Sequence, residues 1–195
     1  CIADSLLAQG RYDSFDVMDR YQRWFSEGYR SSTDRCFDIG GQVRAALFDY
    51  EHKQRVPVTA ERTNSAGNGA IMRLAPMVIA GFRSRSPREV VATARLSARE
   101  THFSVEAEAA TEVFAALLVG ALLGWSPEQI MDVSWASTGA AFDEMASRVI
   151  SSDPQVRASW EAETSGYIVN GLRLAVHGLL DFPSFKDATL AIANM

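Results

Sequence analysis

The sequence predicts an all-α fold, and three observations predict it. Apolar residues recur at helical spacing in almost every segment, with little alternation of period two. Helix-start signals follow one another along the chain, including Ser86-Pro87-Arg88-Glu89 and Ser126-Pro127-Glu128. The longest apolar stretch, residues 114–123, is shorter than a membrane span and ends at Gly124, so it reads as a buried core helix.

Each element follows from its own residues. Residues 1–8 have helical periodicity in Ile2, Leu6 and Ala8 but no cap, and read as the back half of a helix. Ser14 is expected to cap a helix carrying Val17, Met18, Tyr21, Trp24 and Phe25, with Gly28 as its stop. A polar stretch, residues 31–35, leads to Gly40-Gly41 and a helix reaching about Glu51; residues 53–63 read as a polar loop. A glycine-bearing segment, Asn64-Ser65-Ala66-Gly67-Asn68-Gly69, precedes a helix from Ala70 that Pro76 is expected to kink or end. Helices are then expected over residues 87–100, 104–123, from Ser126, over 167–180 and over 184–193. Residues 144–162 are charged and read as surface. The sum is one domain, residues 1–195, of about eight helices.

Composition narrows the function. Hydrophobic residues make up 47% of the chain, enough for a substantial core. The net charge is −5 and the basic residues are dispersed, which argues against a nucleic-acid partner. No apolar run is long enough to span a membrane, so no membrane partner is expected. The two cysteines, Cys1 and Cys36, cannot make a disulfide framework and fit the cytoplasm. The oligomeric state is left open.

The glycine segment is the most chemically suggestive. Glycines let a backbone turn sharply and approach a ligand closely, and Asn68 can adopt a left-handed conformation or present its amide. Free N–H groups of a following helix would suit a phosphate. The same residues also suit a tight inter-helix turn with a capping Asn, and spacing alone leaves both readings open. His102 stands at a helix junction after Thr101; His52 lies in a charged stretch and His177 inside an amphipathic helix. Asp38 reads as an N-cap. Arg73, one turn into the glycine-segment helix, suits a phosphate or a core carboxylate. Asp13, Asp16 and Asp19 read as a solvated face, as do Glu106, Glu108 and Glu112, of which only the last two share a face. No tight Asp cluster, P-loop or Ser/His/Asp pattern is present.

Several of these motifs together resemble the ADP-ribosylglycohydrolase family, which includes the dinitrogenase reductase-activating glycohydrolases. The resemblance rests on Tyr29-Arg30-Ser31-Ser32-Thr33, Cys36-Phe37-Asp38-Ile39-Gly40, the run from Asn64 to Pro76, Thr101-His102, and Ser165-Gly166-Tyr167-Ile168-Val169. It implies an orthogonally packed all-α fold with two magnesium or manganese ions, cleaving ADP-ribose from modified side chains or related conjugates. It implies that Ser65, Gly67, Asn68 and Gly69 hold the diphosphate and distal ribose, with His102 beside the diphosphate; no catalytic residue is assigned. Family members carry a Thr-Asp-Asp-Thr motif before the part matching Cys1 and a Gly-Asp-Asp-Ala-Asp-Thr type motif after the part matching Asn194. Neither is in this chain, so most metal ligands are expected outside it, in a parent enzyme of which these residues form the centre. The alternative reading is an inactive family member, either an ADP-ribose-binding module or a crystallin-like structural protein.

Overall fold

The structure, a computed structural model, describes residues 1–54, 64–162 and 165–194. Among the described residues the fold is all-α, with one isolated antiparallel bridge between Gly67 and Tyr167. The helices are α1 Ile2–Gln9, α2 Ser14–Glu27, α3 Gly41–Asp49, α4 Gly69–Met72, α5 Ala75–Phe82, α6 Pro87–Arg99, α7 Val105–Leu122, α8 Pro127–Met131, α9 Ala140–Val149, α10 Pro154–Ser159, α11 Ile168–Asp181 and α12 Phe185–Ala193. A π-helical turn, Tyr50–Gln54, extends α3, and 3-10 turns cover Ser134–Ala136 and Trp160–Ala162. No described helix is long and apolar enough to cross a membrane. The expected polar loop at residues 53–63 lies almost wholly outside the described residues.

α7 is the axis of the core. Ala107, Ala109, Ala110, Ala115, Ala116 and Gly120 are all buried along it, and such small residues let α6 and α9 approach closely. Larger side chains close the space around it: Phe142, Met18, Leu47, Leu74, Ile168 and Leu172 are fully buried. Each such side chain contributes about 1.5–3 kcal/mol by leaving water.

Local chemistry sets the helix ends. The capping boxes at Ser86/Glu89 and Ser126/Gln129 form as the sequence predicts, each with proline at the first helical position. Gly28 ends α2 in the left-handed conformation at φ 73. Three expectations are corrected. Asp13, not Ser14, caps α2, because its carboxylate accepts from the Phe15 and Asp16 amides. Asp38 is exposed, and Gly40 takes the N-cap position of α3 without a side-chain bond. Pro76 breaks no helix: α4 ends at Met72, and Pro76 lies in the first turn of α5, where its missing N–H costs nothing.

Residues 144–162 are mostly exposed, as the sequence suggests, but the segment also sends side chains into the core. Met145, Val149, Arg157 and Trp160 are buried, because α9 packs on α7 and α10 on α11. Arg157 is 5% exposed. Its guanidinium donates to both Asp181 oxygens at 2.6 and 2.5 Å and to the Ser151 carbonyl at 2.8 Å. The pair holds the Asp181 carboxyl below its ordinary range. His177, on α11, bridges Asp181 at 2.7 Å and Glu161 at 2.8 Å, so one buried ion-paired group joins α10, α11 and the turn at Trp160–Ala162. Removing the cation strands a partly buried carboxylate. Arg157→Met is therefore expected to lower unfolding free energy by about 2 kcal/mol, toward the low side for buried pairs because Asp181 keeps some water; urea denaturation at neutral pH measures it.

Candidate functional site

The glycine segment is built by its neighbours. Gln42, on α3, accepts from the Gly67 amide at 3.1 Å through Oε1 and donates to the Asn64 carbonyl at 2.9 Å. On the other side the backbone pairs with residues 166–168: the Asn68 amide donates to the Gly166 carbonyl and the Ile168 amide to the Ala66 carbonyl, both at 2.9 Å. Asn68 is right-handed at φ −60, and neither Gly67 nor Gly69 has a positive φ. The expected left-handed turn is therefore absent, and α4 is a single helical turn with no side-chain cap.

The glycines serve another purpose. A Cβ on Gly69 would stand 2.6 Å from His102 Cε1, and a Cβ on Gly67 would stand 3.3 Å from His102 Nε2. The bare backbone makes room for the imidazole, which packs directly onto the loop. The Asn68 amide turns away from this face: Nδ2 donates to the Ser165 carbonyl at 3.3 Å, and Oδ1 lies against Gly171 of α11.

His102 is 3% exposed and held by a relay. Arg73 donates to the Gly69 carbonyl at 2.9 Å, the Ser97 carbonyl at 2.6 Å and the Thr101 hydroxyl at 2.6 Å. Its guanidinium also lies 5.5 Å over the Tyr21 ring. Thr101 Oγ1 is 2.7 Å from His102 Nδ1. Oxygen that accepts from Arg73 has its own proton to give, and among the described residues Nδ1 is its acceptor. Nε2 then carries the imidazole proton and faces the glycine loop. Burial, and next the nearby Arg73 charge, push the imidazole pKa down to about 3, so His102 is a neutral donor at physiological pH.

A strap closes the arrangement. Tyr167, whose backbone pairs with Gly67, donates its hydroxyl to Glu106 at the start of α7, and the same oxygen accepts from Arg148 of α9 at 2.6 Å. Arg148 also reaches Glu106 at 2.8 Å. Ser104, the N-cap of α7, donates to the Ser65 carbonyl at 3.3 Å. Beside this strap opens a cleft of about 320 Å³ lined by Ser104, Val105, Glu106, Ala109, Ala141, Glu144, Met145 and Arg148. A second hollow of about 230 Å³ shares Val105, Ala109 and Ala141 and adds Arg95, Glu108, Glu112 and Thr138.

The model of the family described as ADP-ribosylglycohydrolase matches residues 1–195, the whole chain. The chain belongs to that family. Two relatives, each called ADP-ribosylarginine hydrolase Tri1, are 28% identical in Serratia proteamaculans and 29% identical in Pseudomonas putida, over all of this chain. The chain spans about half of their length, 52% and 51%. A solved structure titled ADP-ribosylglycohydrolase-related protein complex is 33% identical with a TM-score of 0.74; the match covers 99% of this chain and 60% of that one.

Within this ADP-ribosylglycohydrolase chain the fold gathers Ser65, Gly67, Gly69 and His102 at one place, with Asn68 on the reverse face of the same loop. Gln42 and Glu106 carry no local signal for their part in the site. Only their long-range partners, Gly67 and Tyr167, reveal it. Among the described residues no three His, Cys, Asp or Glu side chains gather as an ion would require. Imidazole, amide and hydroxyl groups line the glycine loop, and a two-ion site needs several carboxylates, so these residues do not fit one.

Two outcomes follow from the packing of His102. Gly69→Ala is expected to cost about 1–3 kcal/mol of stability by overpacking, and much less in a background already carrying His102→Ala; a double-mutant cycle in urea measures the coupling. Acid is the second lever. A native-state pKa of about 3, below the ordinary value of 6.5, means the fold resists protonating His102. That contribution is complete above pH 6.5 and is lost as pH falls toward 3, by up to about 1.4 kcal/mol per unit. Melting curves of His102→Gln are expected to fall less steeply than those of the parent over this interval.

Proposed function

We propose that this chain supplies the ADP-ribose pocket of a hydrolase that frees arginine side chains from ADP-ribose. The reaction adds water across the glycosidic bond between the ribose anomeric carbon and the guanidine nitrogen, giving ADP-ribose and unmodified arginine. One observation carries the reading: a neutral, proton-bearing imidazole lies on the bare backbone of Gly67 and Gly69, near a cleft. Family membership, and two relatives named for hydrolysis of ADP-ribosylarginine, support the substrate class.

The chemistry assigned to these residues is positioning. His102 Nε2–H is the donor suited to a diphosphate, since Gln42 and Gly166 already hold the Gly67 and Asn68 amides, and the mixed polar and apolar cleft beyond Ser104 suits the rest of the ligand. Because His102 donates without a formal charge, binding is expected not to weaken as pH rises through the range where histidine ordinarily deprotonates. A magnesium or manganese ion, were one held by ligands other than the described residues, would supply a polarised water.

A second reading has its own observation. The described residues gather no carboxylate set, which suits a module that binds ADP-ribose without turning it over. Calorimetry with ADP-ribose and a release assay on ADP-ribosylated arginine, with Mg²⁺ or Mn²⁺ added, separate the two: binding with turnover supports hydrolysis, and binding alone supports the module. His102→Ala is expected to weaken ADP-ribose binding by about 1–3 kcal/mol, the worth of a hydrogen bond to a charged group. Unchanged affinity in a folded variant takes His102 out of the site.

A further inference from the structure

Glu100 has no part in the reading above, yet it is fully buried, one residue before Thr101-His102 at the C-cap of α6. A carboxyl in an apolar interior is costly unless its environment compensates it. Tyr12, in the link between α1 and α2, donates to Glu100 Oε1 at 2.5 Å across 88 positions of sequence. Its second oxygen, Oε2, has no hydrogen-bond partner among the described residues, and neither has Arg73 Nε or the Tyr21 hydroxyl. Tyr12, Tyr21 and Arg73 are the titratable groups whose charges Glu100 feels from the elements packed on it. Arg99, next in sequence, turns outward to Glu108 at 2.9 Å.

The arrangement puts one buried acid within electrostatic reach of a half-buried guanidinium whose Nε is shielded from water. Arg73 is fixed by three oxygens, of which two are backbone carbonyls and the third is the Thr101 hydroxyl. Carbonyls and a hydroxyl give direction but no opposite charge. Glu100, acting through the interior rather than by a direct bond, supplies that charge when ionised.

We propose that Glu100 is a positioning residue for the ADP-ribose site: its carboxylate steadies Arg73, Arg73 fixes the Thr101 hydroxyl, and that hydroxyl holds His102 with Nε2–H toward the glycine loop. The proposal rests on the ADP-ribose reading of the site for its ligand, and on the geometry alone for its effect on His102. Burial lifts the Glu100 carboxyl to about 7, while Arg73 and then the hydroxyls of Tyr12 and Ser14 oppose the rise. Below that pH the acid is neutral and the guanidinium loses its counter-charge; above it the relay is complete. Over the same interval His102 stays neutral, and burial keeps the phenols of Tyr12 and Tyr21 protonated.

The test is calorimetry of ADP-ribose from about pH 5.5 to about 8.5, beside nitrogen-15 NMR of the His102 ring, on the chain and on Glu100→Gln and Tyr12→Phe. The unaltered chain is expected to bind about three- to tenfold more tightly at the alkaline end, with a midpoint near 7. Glu100→Gln is expected to bind weakly at every pH and to populate the Nδ1–H form of His102. Tyr12→Phe removes a bond that favours the carboxylate, and is expected to move the midpoint to higher pH. A Glu100→Gln protein with the parental pH profile and the parental His102 tautomer overturns the proposal. Should Glu100→Gln fail to fold, an unmoved midpoint in Tyr12→Phe overturns it equally. Absence of ADP-ribose binding by the unaltered chain defeats the functional reading instead, and the NMR arm still decides for or against Glu100.

Discussion

The three hydrogen bonds of the Arg73 guanidinium are the constraint on which the rest of the site depends. They join the carbonyl of Gly69 on the loop, the carbonyl of Ser97 in the last turn of α6, and the hydroxyl of Thr101 beyond it. A planar cation with several fixed donors can hold three oxygens in one relative arrangement, which a lysine cannot do. The orientation of the His102 ring and the path of the glycine loop are both consequences. Each bond is worth about 1 kcal/mol in net stability, but their value lies in geometry, since together they leave the loop one way to lie against the imidazole.

The glycines of the loop acquire a different meaning in that setting. Their φ values are ones that any residue can adopt. What they lack is volume, and the space is filled by a histidine from another helix junction rather than by an open turn. A loop and an imidazole that occupy each other's space in this way behave as a unit. On the proposed reading of the site, a His102 Nε2–H held in this way would lose little freedom on meeting an anion.

Much of the fold is legible in the sequence because its signals are local. Both capping boxes, the glycine stops at Gly28 and Gly124 and the buried run of α7 each depend on residues within one or two turns. The failures have the opposite character. Met145, Val149, Arg157 and Trp160 are buried by α7 and α11, and their own neighbours are charged, so their segment has the composition of a surface. Pro76 starts a helix because the chain turns at Arg73 and Leu74, a turn set by the Arg73 bonds. Within the site, the motif from Asn64 to Arg73 and Thr101-His102 are legible by family resemblance. Gln42, Glu106 and the inward course of Glu100 are not, because each is given its place by a partner 25 to 88 positions away.

The backbone pairing of residues 66–68 with 166–168 has a consequence for how the molecule comes into being. Two stretches of chain a hundred residues apart meet through a pair of amide hydrogen bonds, whereas the other backbone bonds among the described residues are local in sequence. Contacts of such separation carry a large loop-closure cost and form only after the intervening elements have condensed. Helices can flicker into existence early and independently; the pocket cannot. Its appearance is a late event that reports completion of the whole, and the amide protons of Asn68 and Ile168 are its natural timekeepers in exchange with solvent.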